Sequence, residues 1–206
     1  KKIVLGVTGG IAVYKAVDLV SRLRKQGAEV RVIMTEHAQQ FVTPLTFKEI
    51  SGNKVAVSMW DSNQEFNVEH IALANWADAF VVAPATANIL AKMANGIADD
   101  LLSTTLLAAQ APIIVCPAMN TGMYQNSITQ ENIEKLQKHG VTVMPPAVGY
   151  LACGVTGPGR LPEPQQIVEF IDAFFAKKDG DMVGMKVLVT AAGTREPIDP
   201  FRFVGN

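Results

Sequence analysis

Residues 3–27 read IVLGVTGGIAVYKAVDLVSRLRKQG, and their pattern decides the fold. Ile3–Thr8 is a short β-favouring run, apolar on both alternating sides, and Gly9-Gly10 follows at once. Ala12–Gln26 then sets Ala12, Ala16, Leu19, Val20 and Leu23 on one helical face, and Gly27 is suited to cap its C-terminus. A strand that is apolar on both faces and turns through glycines into an amphipathic helix opens a βαβ unit. The sheet of such a unit is covered by helices on both sides.

Working outward, the same alternation continues. Val30–Thr35 reads as a second strand, followed by a helical segment and a loop around Gly52–Asn63. Ala79–Ala83, Ile113–Cys116 and Val141–Met144 read as the third, fourth and fifth strands, with helical patterns at Asn88–Asn95, Asp99–Gln110 and Thr129–His139. The prediction is an α/β fold: a doubly wound parallel sheet between two helix layers, three layers in all. Glu163–Lys178 is expected to close this domain (residues 1–178), with a polar linker at 179–185. Lys186–Thr190 then starts a fresh strand that runs into Ala191-Ala192-Gly193-Thr194. A strand and glycine turn ending at Asn206 cannot bury itself, so residues 186–206 read as the truncated start of a second domain.

Composition narrows the function. In 206 residues, 49% are hydrophobic, 18% are charged, and 16 Gly and 11 Pro are scattered, which indicates a packed chain and not a disordered one. The net charge of −1 with no long basic block removes the footprint of a general nucleic-acid or anionic-membrane binder, while a small anionic ligand can still be held by backbone amides. Leu101–Gln130 carries no charged side chain, but Pro112, Pro117 and Gly122 interrupt it, so a buried helix and a buried strand are expected there instead of a membrane span. The N-terminus shows no targeting signal. Cys116 and Cys153 form neither a metal-spaced pair nor a disulfide framework, so no metal site and a reducing, cytoplasmic setting are expected.

Candidate site residues cluster where the strands should end. Thr8-Gly9-Gly10-Ile11 lies at the first strand–helix junction, where glycine admits a ligand to the backbone and the helix N-terminus favours phosphate. The spacing of Gly6, Gly9 and Gly10 does not fit GxGxxG, which favours a mononucleotide over a dinucleotide. Thr35-Glu36, Ala83-Pro84-Ala85-Thr86-Ala87-Asn88, Pro117-Ala118-Met119-Asn120 and the Gly149–Gly159 loop fall at the same edge. Each alone also reads as a turn or helix cap. His37 and His139 read as surface residues. His70 reads equally as a satisfied structural residue or as a proton carrier near neutral pH. Cys116 reads as an inert core thiol, and Cys153, in a glycine-rich loop, as either an idle thiol or a proton donor.

Taken together, Gly9-Gly10-Ile11-Ala12, His70, Pro84-Ala85-Thr86-Ala87-Asn88, the string from Pro117 through Asn120 to Tyr124, and Ala152-Cys153-Gly154 resemble the homo-oligomeric flavin-containing cysteine decarboxylases. The likeness covers residues 3–178 and is nearest to members acting on 4'-phosphopantothenoylcysteine in coenzyme A biosynthesis. Beyond the linker, the string from Gly193 to Pro200 and the terminal Asn206 resemble the start of a phosphopantothenate–cysteine ligase domain, whose own chemistry is expected to be absent from this chain. The resemblance implies a flavodoxin-like sheet, bound FMN, and a trimeric catalytic unit that can assemble further into a dodecamer. It assigns FMN contacts to Gly9, Gly10, Ile11, Thr35, Thr86, Ala87, Asn88 and Ala118, and substrate contacts to Asn120, Met123 and Ala152. Two departures are mild: Thr86 stands where the family commonly has Ser, and Tyr124 where it has Trp.

The resemblance also implies a reaction. Oxidation of the thiol-bearing carbon by FMN gives a thioaldehyde, which accepts the electrons released as carbon dioxide leaves; the resulting enethiol is then reduced to 4'-phosphopantetheine. On this reading His70 organises thiol deprotonation, Asn120 positions the carboxylate, and Cys153 donates a proton from a clamp-like loop whose Gly149, Gly154, Gly157 and Gly159 give it freedom. Two rivals stand beside it. A flavin prenyltransferase explains the phosphate turn but not the Pro117–Met123 and Ala152–Gly154 strings together. A non-catalytic flavin-binding regulatory protein would have no need to keep His70, Asn120 and Cys153.

Overall fold

The computed structural model describes residues 1–60, 69–150, 154, 156–178, 195–197 and 203–205. Lys2–Val7 forms β1, and Val13–Lys25 forms helix α1, which buries Val13, Ala16, Leu19, Val20 and Leu23. Just past α1, Gly27 takes φ +83°, the left-handed conformation that ends a helix at little cost only for glycine. There follow β2 (Glu29–Met34), a 3-10 turn (Glu36–Gln40), α2 (Pro44–Ser51), β3 (Val55–Ala56), α3 (Glu69–Trp76) and β4 (Ala79–Ala85). Next come α4 (Ala87–Asn95), α5 (Leu101–Ala108), β5 (Ile113–Pro117), α6 (Thr121–Gln125), α7 (Ser127–Lys138) and β6 (Thr142–Val143). A hairpin of β7 (Ala147–Tyr150) and β8 (Thr156–Arg160) leads into α8 (Pro164–Lys178).

The six strands pair in the order β3-β2-β1-β4-β5-β6, all parallel. With the two-residue β3 set aside, the remaining five follow the flavodoxin-like order, second-first-third-fourth-fifth. The winding reverses between β1 and β4, and the crevice beyond their carboxyl ends is where such folds take ligands. Side chains alternate across the sheet with period two. Val4, Ile33, Phe80, Val82 and Val115 join Ile89, Leu90, Leu102, Leu106, Ile133 and Leu136 in one buried cluster under α4, α5 and α7. The alternate residues Ile3, Leu5, Val7, Val81, Ile114 and Cys116 are equally buried and turn to the opposite face, where Ile3, Leu23 of α1 and Ile171 of α8 border one small cavity. Gly6 serves this packing: a Cβ there would lie 2.6 Å from Leu102 Cδ1.

The sequence pattern and the structure differ at several elements. Helices α3 and α6 and strand β3 fall where no regular element was expected. The Gly149–Gly159 segment, expected as a lid loop, supplies most of the β7–β8 hairpin, and two of its glycines, Gly157 and Gly159, serve close packing. A Cβ at Gly157 would lie 2.6 Å from Thr121 Oγ1, and one at Gly159 would overlap the Met119 carbonyl oxygen. The charge-free stretch Leu101–Gln130 resolves into α5, β5, α6 and the start of α7, and among the described residues no helix is long and apolar enough to cross a membrane.

By compactness the chain divides into Lys1–Asp172 and Ala173–Asn206. The second unit holds the last residues of α8 and an antiparallel pair, β9 (Arg195–Pro197) and β10 (Phe203–Gly205). The linker at 179–185 and the strand expected at Lys186–Thr190 lie outside the described residues.

Candidate functional site

Thr8 holds the switch point together. Its hydroxyl donates to the Pro84 carbonyl (2.7 Å) and accepts from the Thr86 backbone N–H (3.1 Å), fixing the end of β1 to the end of β4. Helices α1 and α4 both start at this junction. Neither has an acidic residue in its first turn, and α1 begins with no side-chain cap, so two positive helix ends meet at one edge of the sheet.

Gly9 and Gly10 do different work there. A Cβ on Gly9 would lie 2.5 Å from His37 Cβ and 2.9 Å from the His37 carbonyl carbon, so the missing side chain admits the 3-10 turn after β2. A Cβ on Gly10 would meet only Thr86 Cγ2, at 4.0 Å, and would otherwise intrude on the crevice. Gly10 is the glycine whose bareness leaves the crevice open.

Two clefts open at this edge. The first, about 350 Å³, has Gly10, Ile11, Ala118 and Asn120 among its lining residues, with Pro84, Met119, Tyr150 and Leu161. The second, about 430 Å³, includes Gly9, Thr35, Thr86 and Asn88, with His37 and Lys92. Both sizes suit a small-molecule ligand. The hydroxyls of Thr35 and Thr86 accept from the Ala38 and Ile89 backbone N–H groups, at 3.3 and 3.4 Å, so each is a helix cap. A hydroxyl that accepts in a cap still has its proton to donate, so the cap role and a ligand role coexist. Asn120 caps α6, its Oδ1 accepting from Gly122 N–H at 2.8 Å, which fixes the plane of the amide.

The other expected site residues are placed differently. Ala87 opens α4 and lines neither cleft; Met123 sits on α6, half exposed, and Met119 lines the first cleft in its stead. His70, partly buried in the first turn of α3, borders neither cleft of its own chain. Ala152 and Cys153 lie outside the described residues. His37 and His139 are exposed, and Cys116 is fully buried, its thiol pushed up to about 12 by that burial.

Charge around the clefts is arranged in two networks. Lys15 of α1, only 6% exposed, donates to the Leu161 carbonyl (3.0 Å) and to Glu163 Oε1 (2.9 Å), and Arg160 reaches the same Glu163 oxygen at 2.6 Å. The hydrogen bond from Lys15 holds the Glu163 carboxyl below its usual range. At the second cleft, Lys92 pairs with Asp99 (2.6 Å) and Asp100 (3.0 Å). Burial alone would raise Asp100, but the Ser103 N–H and the Lys92 ammonium outweigh it and lower its pKa. Burial would likewise lower Lys92, and its two carboxylate partners raise it instead.

The Flavoprotein family model matches residues 1–176. Over 206 residues the chain is 50% identical to the coenzyme A biosynthesis bifunctional protein CoaBC of Haemophilus influenzae, a match covering all of this chain and 51% of that protein. The chain thus spans about half the length of the curated relatives it matches. Among solved structures, a PPC decarboxylase mutant complexed with pantothenoylaminoethenethiol superposes with a TM-score of 0.76 at 32% identity, over 84% of this chain and 97% of that one. The FMN-dependent cysteine decarboxylase SpaF superposes with a TM-score of 0.71 at 31% identity, over 84% and 97%.

Proposed function

Because this chain belongs to the flavoprotein family, we propose that it binds FMN at the carboxyl edge of its sheet and decarboxylates 4'-phosphopantothenoylcysteine, on the way to 4'-phosphopantetheine and coenzyme A. The observation that carries this reading is the first cleft, where the bare Gly10, the uncapped start of α1, the small Ala118 and the fixed amide of Asn120 meet in a mostly apolar space at the switch point. These residues fit a flavin mononucleotide. The α1 N-terminus and Gly10 would take its phosphate, the Thr35 and Thr86 hydroxyls and Asn88 its polar chain, and Ala118 would leave room for a flat ring.

FMN, when bound, supplies a reversible two-electron exchange at the sulfur-bearing carbon, the electron sink that loss of carbon dioxide requires. The protein's part is binding, orientation and proton movement. A carboxylate takes hydrogen bonds from the Nδ2 end of Asn120, which holds it without the strong ground-state attraction of a cation. His70 takes the thiol proton. Since it borders neither cleft of its own chain, it acts in a neighbouring subunit's site within a trimer, which can assemble further into a dodecamer. Cys153, on the segment between β7 and β8, returns a proton to the enethiolate. The decarboxylase domain is residues 1–178, and residues 186–206 open a ligase domain.

Incubating the FMN-loaded chain with 4'-phosphopantothenoylcysteine and measuring carbon dioxide and 4'-phosphopantetheine tests the reading. Both products are expected. Flavin without turnover would indicate a regulatory binder, and prenylation of added FMN would indicate a prenyltransferase.

A further inference from the structure

Resting on the substrate proposed above, we infer that Arg160 is a specificity-determining residue that binds the phosphomonoester at the far end of that substrate. Among the described residues, the first cleft is lined by two charged side chains, Lys15 and Arg160, both cationic, and by no carboxylate. They are not equivalent. Lys15 is buried and its ammonium is committed to the Leu161 carbonyl and to Glu163. The Arg160 side chain is 43% exposed, and among the described residues its only side-chain hydrogen bond runs from Nη2 to Glu163. Glu163 Oε1 therefore serves two cations at once, and the three groups together keep one positive charge, on the side that opens to the cleft.

The guanidinium is also held in place. Arg160 ends β8, and its side chain crosses the paired strand over Gly149, where a Cβ would stand 3.4 Å from Nη1 and 3.6 Å from Cδ. The bare backbone of Gly149 is the lane in which the side chain lies, and Glu163 fixes its tip. Glu163 takes one of the five guanidinium N–H donors, and a planar guanidinium can present two of the remaining four to two phosphate oxygens in a way an ammonium cannot. The substrate's other anion, its carboxylate, is assigned to Asn120.

The experiment compares Arg160→Gln and Arg160→Lys with the parent, all FMN-loaded, on 4'-phosphopantothenoylcysteine and on its unphosphorylated counterpart. Arg160→Gln is expected to lower kcat/KM on the phosphorylated substrate by about 10- to 100-fold, mostly through KM, and to leave the unphosphorylated one within about twofold. Arg160→Lys should recover part of the loss. A binding measurement without turnover, phosphopantothenate against pantothenate, should show the same contrast. Equal losses on both substrates, no loss on either, or a loss of FMN in place of substrate discrimination would overturn the assignment. A parent chain that decarboxylates neither compound would overturn the proposed function itself, and this residue's role with it.

Discussion

At the scale of single residues, the adjacent glycines of the first turn separate packing from binding. Gly9→Ala drives a methyl group into His37, including its backbone, and should cost about 1–3 kcal/mol of stability in urea unfolding. Gly10→Ala meets no such wall. It should stay within about 1 kcal/mol of the parent while weakening FMN binding by about tenfold or more. The opposite pattern, a stable Gly9→Ala and an unfolded Gly10→Ala, would reverse the two roles. Cys116 yields a simpler test. Its buried thiol, pushed up to about 12, has almost no thiolate at pH 8. In a Cys153→Ser background a disulfide reagent should find no reactive thiol in the folded protein and one after denaturation.

At the scale of elements, the longer strands were legible because both their faces are buried. The five read from the sequence correspond to β1, β2, β4, β5 and β6, and runs such as Ile3–Val7 and Ala79–Ala83 are apolar throughout. Strand β3 is only Val55–Ala56, buried but too short to show a period, whereas the equally short β6 showed through the longer run Val141–Met144 around it. Helix α3 was hidden for a different reason: Ile71 and Ala72 are exposed while Leu73 and Ala74 are buried, so its apolar residues mark no face. In the β7–β8 hairpin, Gly149, Gly157 and Gly159 suggested freedom, whereas tertiary neighbours at Thr121 and Met119 are what forbid a side chain at the last two. The site divides along the same line. Gly10, Ile11, Ala118 and Asn120 were readable from their place after strands, and the structure brings them to one cleft. Lys15 was missed although it had a signal, since it stands three residues after Ala12 and four before Leu19, on the buried face of α1. Arg160 had none, because its place depends on a hairpin the sequence concealed.

The start of α5 supports a further prediction at this scale. Asp100 caps the helix through Ser103 and also pairs with Lys92. Asp100→Asn keeps the cap and removes the charge. Because the folded carboxyl titrates below its ordinary value, the charge stabilises the fold above that value and loses its effect as pH falls through the lowered one. The variant should therefore be up to about 1 kcal/mol less stable than the parent at pH 7, with the difference shrinking as pH falls below the ordinary carboxylate range. Urea titrations at pH 7 and in acid measure it. A difference that persists unchanged in acid would mean that the cap, and not the pair with Lys92, is what the substitution disturbs.

At the scale of the whole molecule, the sheet gathers two helix starts, two clefts and a fixed amide at one edge, while α3 carries His70 outside both clefts. A complete site on the proposed reading thus needs more than one copy of the chain. His70→Asn and Asn120→Asp should each be inactive alone, and assemblies formed by unfolding and refolding the two variants together should recover a fraction of parent activity. No recovery in assemblies shown to contain both would place His70 and Asn120 of a working site in one chain. The most direct test is the visible absorption of the FMN-loaded protein, followed without oxygen after mixing with 4'-phosphopantothenoylcysteine while carbon dioxide is collected. The flavin band should fall and then return as carbon dioxide is released, and His70→Asn should keep its flavin but show neither change. Carbon dioxide leaving with the flavin band untouched, or an unaltered trace in His70→Asn, would rule out flavin-dependent oxidation through His70.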